Sequence, residues 1–176
     1  MRIINIAFLF VLLFAKSFGK SIKSKELEID SSKYYWISSN WLGDDKVLGS
    51  GCWSLSTEIK LSDKEDDGCQ KWKFTPLHDG WYRITGASNH LAIDVIYDDN
   101  KDTLVFNPAS DILGQPWKFI PVEHPAYQGY SYLQSWIAQD KYLDIVNAGN
   151  RDQVKLKPKG NYTGMMWKLT EAPAPK

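Results

Sequence analysis

Two carboxylates occupy matching places in this chain: Asp94 lies twenty-three residues ahead of Trp117, and Asp144 lies twenty-three ahead of Trp167. Each sits inside an apolar run, Ala92-Ile93-Asp94-Val95 and Tyr142-Leu143-Asp144-Ile145. A carboxylate so placed can accept a pair of hydroxyls from a ligand through charge-assisted hydrogen bonds. It can equally open a tight turn and bond its own backbone. Both readings stand for both residues. The loops that follow supply further polar and aromatic groups: Tyr97, Asp98 and Asn100 after the first, Asn147 and Asn150 after the second.

Other chemistry is thinly represented. The three histidines, His78, His90 and His124, lack the spacing of metal ligands, and no Gly-x-Ser-x-Gly or paired catalytic motif accompanies them. No nucleophile, base and orienting group can be assembled, so the chain does not read as an enzyme, and neither a cofactor nor a metal is called for. Two acidic loops, Lys64-Glu65-Asp66-Asp67-Gly68 and Asp98-Asp99-Asn100-Lys101-Asp102, depart from the EF-hand spacing and read as solvated turns. Asn161-Tyr162-Thr163 is an acceptor sequon for N-glycosylation.

The elements that position these residues show in a threefold repeat. Three segments match: Cys69-Gln70-Lys71-Trp72-Lys73-Phe74, Gly114-Gln115-Pro116-Trp117-Lys118-Phe119 and Gly164-Met165-Met166-Trp167-Lys168-Leu169. Eleven and thirteen residues before each Trp stand Leu61 and Ile59, Phe106 and Leu104, Leu156 and Val154, an alternation with the period of a strand. At the Asp position the first copy has Gly49. Trp36-Ile37, Trp81-Tyr82 and Tyr132-Leu133 mark the start of each copy's first strand. The expected units run over about 33 to 75, 80 to 121 and 129 to 170. Three blades are too few for a propeller. One domain in which each unit covers the open face of the other two is the better solution, with Trp72, Trp117 and Trp167 in its core.

The ends place the chain outside the cell. Arg2, an apolar stretch from Ile3 to Ala15 and small residues at Ser17 and Gly19 form a secretory signal peptide, expected to be cleaved after Gly19. The stretch is too short to span a bilayer, and the expected product is secreted, with no membrane insertion. Residues 20 to 32 read as an N-terminal extension, 33 to 170 as the domain and 171 to 176 as a tail. Losing the leader removes two basic residues and no acids, leaving 19 basic against 21 acidic side chains. Nothing in that balance points to nucleic acid, which needs clustered Lys and Arg. In an oxidising compartment Cys52 and Cys69 are expected to pair, closing a loop that stabilises the fold by roughly 3 kcal/mol.

Read as a Gln-x-Trp signature recurring three times, with an Asp some two dozen residues ahead of it, the pattern resembles the ricin B-like family. The resemblance covers nearly the whole mature chain. It implies an all-β fold, a β-trefoil of three repeats with about four strands each, and up to three shallow sugar pockets. A pocket of that family resembles a kit of an Asp for sugar hydroxyls, a ring under the sugar's apolar face and a polar residue before the Gln. Here the kit is depleted. Ser62, Asn107 and Lys157 stand where the ring is expected, and Cys69, Gly114 and Gly164 where the polar residue is expected. The candidate sugar contacts are therefore Asp94, Tyr97 and Asn107 in the second repeat and Asp144, Asn147 and Lys157 in the third, with glycans or glycoproteins as partners. Secreted protease inhibition, with an extracellular protease as partner, and a matrix role are the alternatives.

Overall fold

The computed structural model describes residues 27–50, 59–96, 98–99, 103–146 and 153–175. Among these residues twelve short strands divide evenly over the three repeats. The first repeat holds β1 (Tyr34–Ser39), β2 (Gly43–Ser50), β3 (Ile59–Asp63) and β4 (Trp72–Pro76). The second holds β5 (Trp81–Gly86), β6 (Leu91–Val95), β7 (Leu104–Pro108) and β8 (Pro116–Pro121). The third holds β9 (Ser131–Ser135), β10 (Lys141–Ile145), β11 (Val154–Pro158) and β12 (Trp167–Ala172).

Six of these strands close into a barrel. The antiparallel order β1, β4, β5, β8, β9, β12 returns to β1, so no barrel strand keeps an open edge. The other six form the hairpins β2–β3, β6–β7 and β10–β11, one from each repeat. The chain is a β-trefoil. Alternation within each strand decides what faces inward: β3 and β11 both read buried, exposed, buried along their first three residues.

The three tryptophans sit at equivalent places. Trp72, Trp117 and Trp167 open β4, β8 and β12 and are 0%, 0% and 1% exposed. Each indole Nε1–H donates to a carbonyl twenty-four residues upstream, Leu48, Ile93 and Leu143, at 2.8, 3.0 and 2.8 Å. Each Trp thereby ties a barrel strand to its own repeat's hairpin. A backbone triplet repeats the symmetry: Asn40, Ala87 and Trp136 donate to the carbonyls of Met166, Lys71 and Pro116.

Two details depart from the sequence reading. Strand register matches Ile37 with Ile84 and Leu133, through their partners Leu169, Phe74 and Phe119. The second repeat's first strand is therefore aligned on Arg83-Ile84, two residues beyond the expected Trp81-Tyr82. A shift of two preserves the side-chain alternation, so the pattern alone could not reveal it. The Gln position is also broken in the third copy, where Met165 stands.

Between Gln70 and Trp72 lies Lys71, whose side chain is fully buried. Its Nζ is 2.6 Å from Asp66 Oδ1 and 3.4 Å from the Ala174 carbonyl, so it pins the C-terminal tail. The equivalent residues are Pro116 and Met166. Removing the lysine charge strands no buried partner, because Asp66 is half-exposed and water can solvate its carboxylate. Lys71→Met should accordingly change the unfolding free energy by no more than about 1 kcal/mol, whereas Lys71→Ala, which leaves a cavity, should cost about 2–3 kcal/mol. Urea titration of both variants checks this, and a Met variant as damaged as the Ala one would contradict it.

Candidate functional site

The site begins with the Gln of each repeat, and its role is structural. Gln70 Oε1 accepts from the Glu65 backbone at 2.6 Å, and its Nε2 donates to the Asp63 carbonyl at 2.5 Å and to Ser62 Oγ at 2.8 Å. Gln115 repeats the first two bonds, accepting from Ser110 N and donating to Pro108 O, both at 2.9 Å. In the third repeat Met165 sulfur accepts from Gly160 N at 3.3 Å. The sulfur keeps the acceptor half of the clasp and has no donor half. These clasps fix the loop that returns the chain from each hairpin to its barrel strand.

Asp94 lies on β6 and is 3% exposed. Its Oδ2 accepts from Asn107 Nδ2 at 2.7 Å. Its Oδ1 is buried and has no hydrogen-bond partner among the described residues. The structure thus brings Asp94 and Asn107 together diagonally across the β6–β7 ladder, where Asp94 faces Val105 and Ala92 faces Asn107. Gly114 closes the back of the pair: a Cβ there would collide with Asp94 Oδ1 and the Val95 carbonyl.

Asp144 repeats the arrangement on β10, with a Cβ at Gly164 falling 2.7 Å from its Oδ1. Gly114, read from sequence as a missing polar group, is required because a Cβ would meet the Val95 backbone as well as the carboxylate, whereas at Gly164 it would crowd only the movable end of Asp144. The first repeat inverts the pair. Gly49 replaces the carboxylate, and Cys69, with a side chain, replaces the glycine. The Asp-to-Gly spacing of twenty residues was present in the sequence and could have exposed this complementarity. A Cβ at Gly49 would lie 3.4 Å from Gln70 Cγ and 3.6 Å from Ser62 Oγ.

Burial raises the Asp144 carboxyl above its ordinary pKa, opposed more weakly by a hydrogen bond from the Ile145 backbone and by the charge of Lys157. A carboxyl raised by folding binds more protons in the folded state than in the unfolded one. Stability therefore falls as pH rises from the ordinary carboxyl value of about 4 through the raised one. Asp144→Asn should abolish that fall and raise the melting temperature at neutral pH. Identical melting curves for wild type and variant from pH 4 to 7 would refute the assignment.

Tyr97, Asn100, Asn147 and Asn150 lie outside the described residues, as do Cys52 and the leader. Cys69 is buried beside Gln70. Lys157 is exposed on β11, and Asn161 is exposed in its loop. In the first acidic loop Asp67 caps a 3-10 turn, accepting from Cys69 N at 2.9 Å and Gln70 N at 3.2 Å. Asp66 of that loop is the partner of Lys71. Among the described residues no group of three His, Cys, Asp or Glu is arranged to hold a metal. His124 Nδ1 caps another 3-10 turn by accepting from Ala126 N, and His78 packs edge-on against Trp136.

Solved structures share this architecture. The designed threefold-symmetric protein ThreeFoil matches with a TM-score of 0.66 and 22% identity, over 78% of this chain and 97% of that chain. The BEL β-trefoil matches at 0.68 and 11% identity, over 83% and 97%. A Polyporus squamosus lectin, solved with the epitope Neu5Acα2-6Galβ1-4GlcNAc, matches at 0.66 and 15% identity, over 82% of this chain and half of that one. At these identities the likeness shows the fold. No family model matches the chain, and no curated protein is similar to it.

Proposed function

We propose that this chain is a secreted carbohydrate-binding β-trefoil module whose principal site is the Asp94–Asn107 pair of the second repeat. The observation that carries this reading is the Asp94–Asn107 pair, in which the nearly buried carboxylate holds the partly exposed Asn107 amide at 2.7 Å. Asn107, so held, keeps its second N–H and its carbonyl for hydrogen bonds with neighbouring sugar hydroxyls. In the same proposal Tyr97, three residues along the chain from Asp94, supplies the ring for the sugar's apolar face. The third repeat, with Asp144, Asn147 and Lys157, is a second and weaker site. A glycan array probed with the mature protein tests the reading, and silence across neutral and charged glycans would end it.

Export, leader cleavage, a Cys52–Cys69 bridge and a glycan on Asn161 belong to the same proposal. The intact mass of protein recovered from culture medium, before and after reduction and deglycosylation, reports on each of them. Two free thiols in the native protein would remove the bridge.

One observation favours protein contact as a second reading. Ile112 and Leu113, 46% and 61% exposed, stand at the tip of the turn that Gly114 presses against Val95. Inhibition in a protease panel that is lost in Leu113→Ser, together with a silent array, would select this reading.

A further inference from the structure

Strand β11 and the residue just past its end carry a row of cations, of which only Lys157 belongs to the sugar site proposed for the third repeat. Lys155 and Lys157 on the strand and Lys159 just past its end are all exposed at every second residue, while Val154 and Leu156, alternating with the first two, are buried. Side chains two apart on a strand share one face and lie roughly 6.8 Å apart. A fourth cation joins from the neighbouring repeat: exposed Lys60 on β3 is bridged to Gln153, two residues before Lys155. None of the four forms an ion pair among the described residues. Lys33, Lys46 and Lys168, by contrast, are paired with Glu171, Asp63 and Asp44.

The row belongs to one part of the threefold structure. At the places of Lys155, Lys157 and Lys159 the second repeat has Val105, Asn107 and Ala109. The first has Lys60, Ser62 and Lys64, and Lys64 is folded back over Trp36 at 3.9 Å from the ring centre. Unpaired cations brought this close repel one another, and an anionic ligand relieves that repulsion. The acid nearest on the hairpin, Asp144, faces Lys155 across the ladder but is only partly exposed.

We propose that β11, extended by Lys60, binds an extended polyanionic polysaccharide, its sulfate or uronate groups meeting successive lysines along the strand. A linear chain suits a linear row of point charges, and lysines contact such groups without demanding a fixed geometry. A nucleic acid fits less well. The rings beneath the row, Tyr132 and Tyr142, are buried under Lys159, which lies 4.9 and 5.8 Å from their centres, so they offer no exposed platform for base stacking. This strip is separate from the Asp94 site, and binding at either survives failure of the other.

The test measures binding of the mature protein to immobilised dextran sulfate, a polyuronate, neutral dextran and single-stranded DNA over a range of salt. Binding to dextran sulfate, to the polyuronate or to both is expected, weakening as salt rises through counterion release. Changing Lys155, Lys157 and Lys159 together to Gln should weaken it by at least about tenfold and flatten the salt dependence. The corresponding triple Arg variant should bind as the wild type does, which separates charge from damage to the strand. A control triple, Lys33, Lys46 and Lys73 to Gln, should bind unchanged. Binding to neither polyanion, equal binding to neutral dextran, tighter binding to DNA, loss in the Arg triple or equal loss in the control triple would each overturn the proposal. Neutral-glycan binding through Asp94 should be untouched by the lysine variants.

Discussion

Trp117→Ala is expected to lower the unfolding free energy by about 3–5 kcal/mol, the range for truncating a large buried aromatic. The side chain is wholly enclosed, and its indole holds the Ile93 carbonyl at 3.0 Å. Truncation removes packing from the junction of barrel and hairpin and leaves that carbonyl without its donor, two losses that add. Trp117→Phe keeps most of the ring and loses the N–H, so about 1–2 kcal/mol should separate it from wild type. The symmetry extends the expectation to Trp72 and Trp167, which make the same bond to Leu48 and Leu143. Trp72 also stacks on Phe106 with ring centres 6.0 Å apart, coupling the first repeat to the second. Guanidinium unfolding of the three Ala variants is the measurement. A loss under 1 kcal/mol at any of them would show that its indole is not the wedge described here.

Asp94→Ala is expected to weaken glycan binding at the second repeat by about 1.5–3 kcal/mol, the worth of hydrogen bonds to a charged group. Asp94→Asn separates binding from folding. The amide has nearly the same shape and can keep an oxygen toward Asn107, while the buried unpaired charge is gone. Stability should hold or rise in Asn while affinity drops. Unfolding and isothermal titration on the same preparations read both quantities. Affinity and stability falling together would assign the carboxylate to holding its own hairpin. Full affinity in the Asp94→Ala, Asp144→Ala double variant would move sugar binding elsewhere.

The threefold plan was legible because its causes are local and repeated. A buried Trp followed by Lys and an apolar residue recurs at spacings of 45 and 50, and each copy carries an inward-facing ladder at fixed distances before it. Those features oblige three equivalent units to share one core, as the enclosure of Trp72, Trp117 and Trp167 shows. The register of the second repeat was not legible, since Trp81-Tyr82 and Arg83-Ile84 both satisfy a period of two and only pairing with β4 selects Ile84.

What the sequence determined by itself, then, was the class of fold and the identity of its core, because hydrophobic periodicity and repetition are properties of the chain. The state of each functional group was decided by the tertiary structure. Gln70 and Gln115 stand in a recognition signature yet spend their hydrogen bonds on their own loops. Gly114, which looks like a loss, is the space that Asp94 and the Val95 backbone need. Lys155, Lys157 and Lys159 raise no signal in a chain of balanced charge, and they become a row only when Val154 and Leu156 turn inward and Lys60 is brought alongside from almost one hundred residues away. Whether a polar group is satisfied, crowded or left unpaired depends on what the fold places within a few ångströms of it, and those neighbours come from distant parts of the chain.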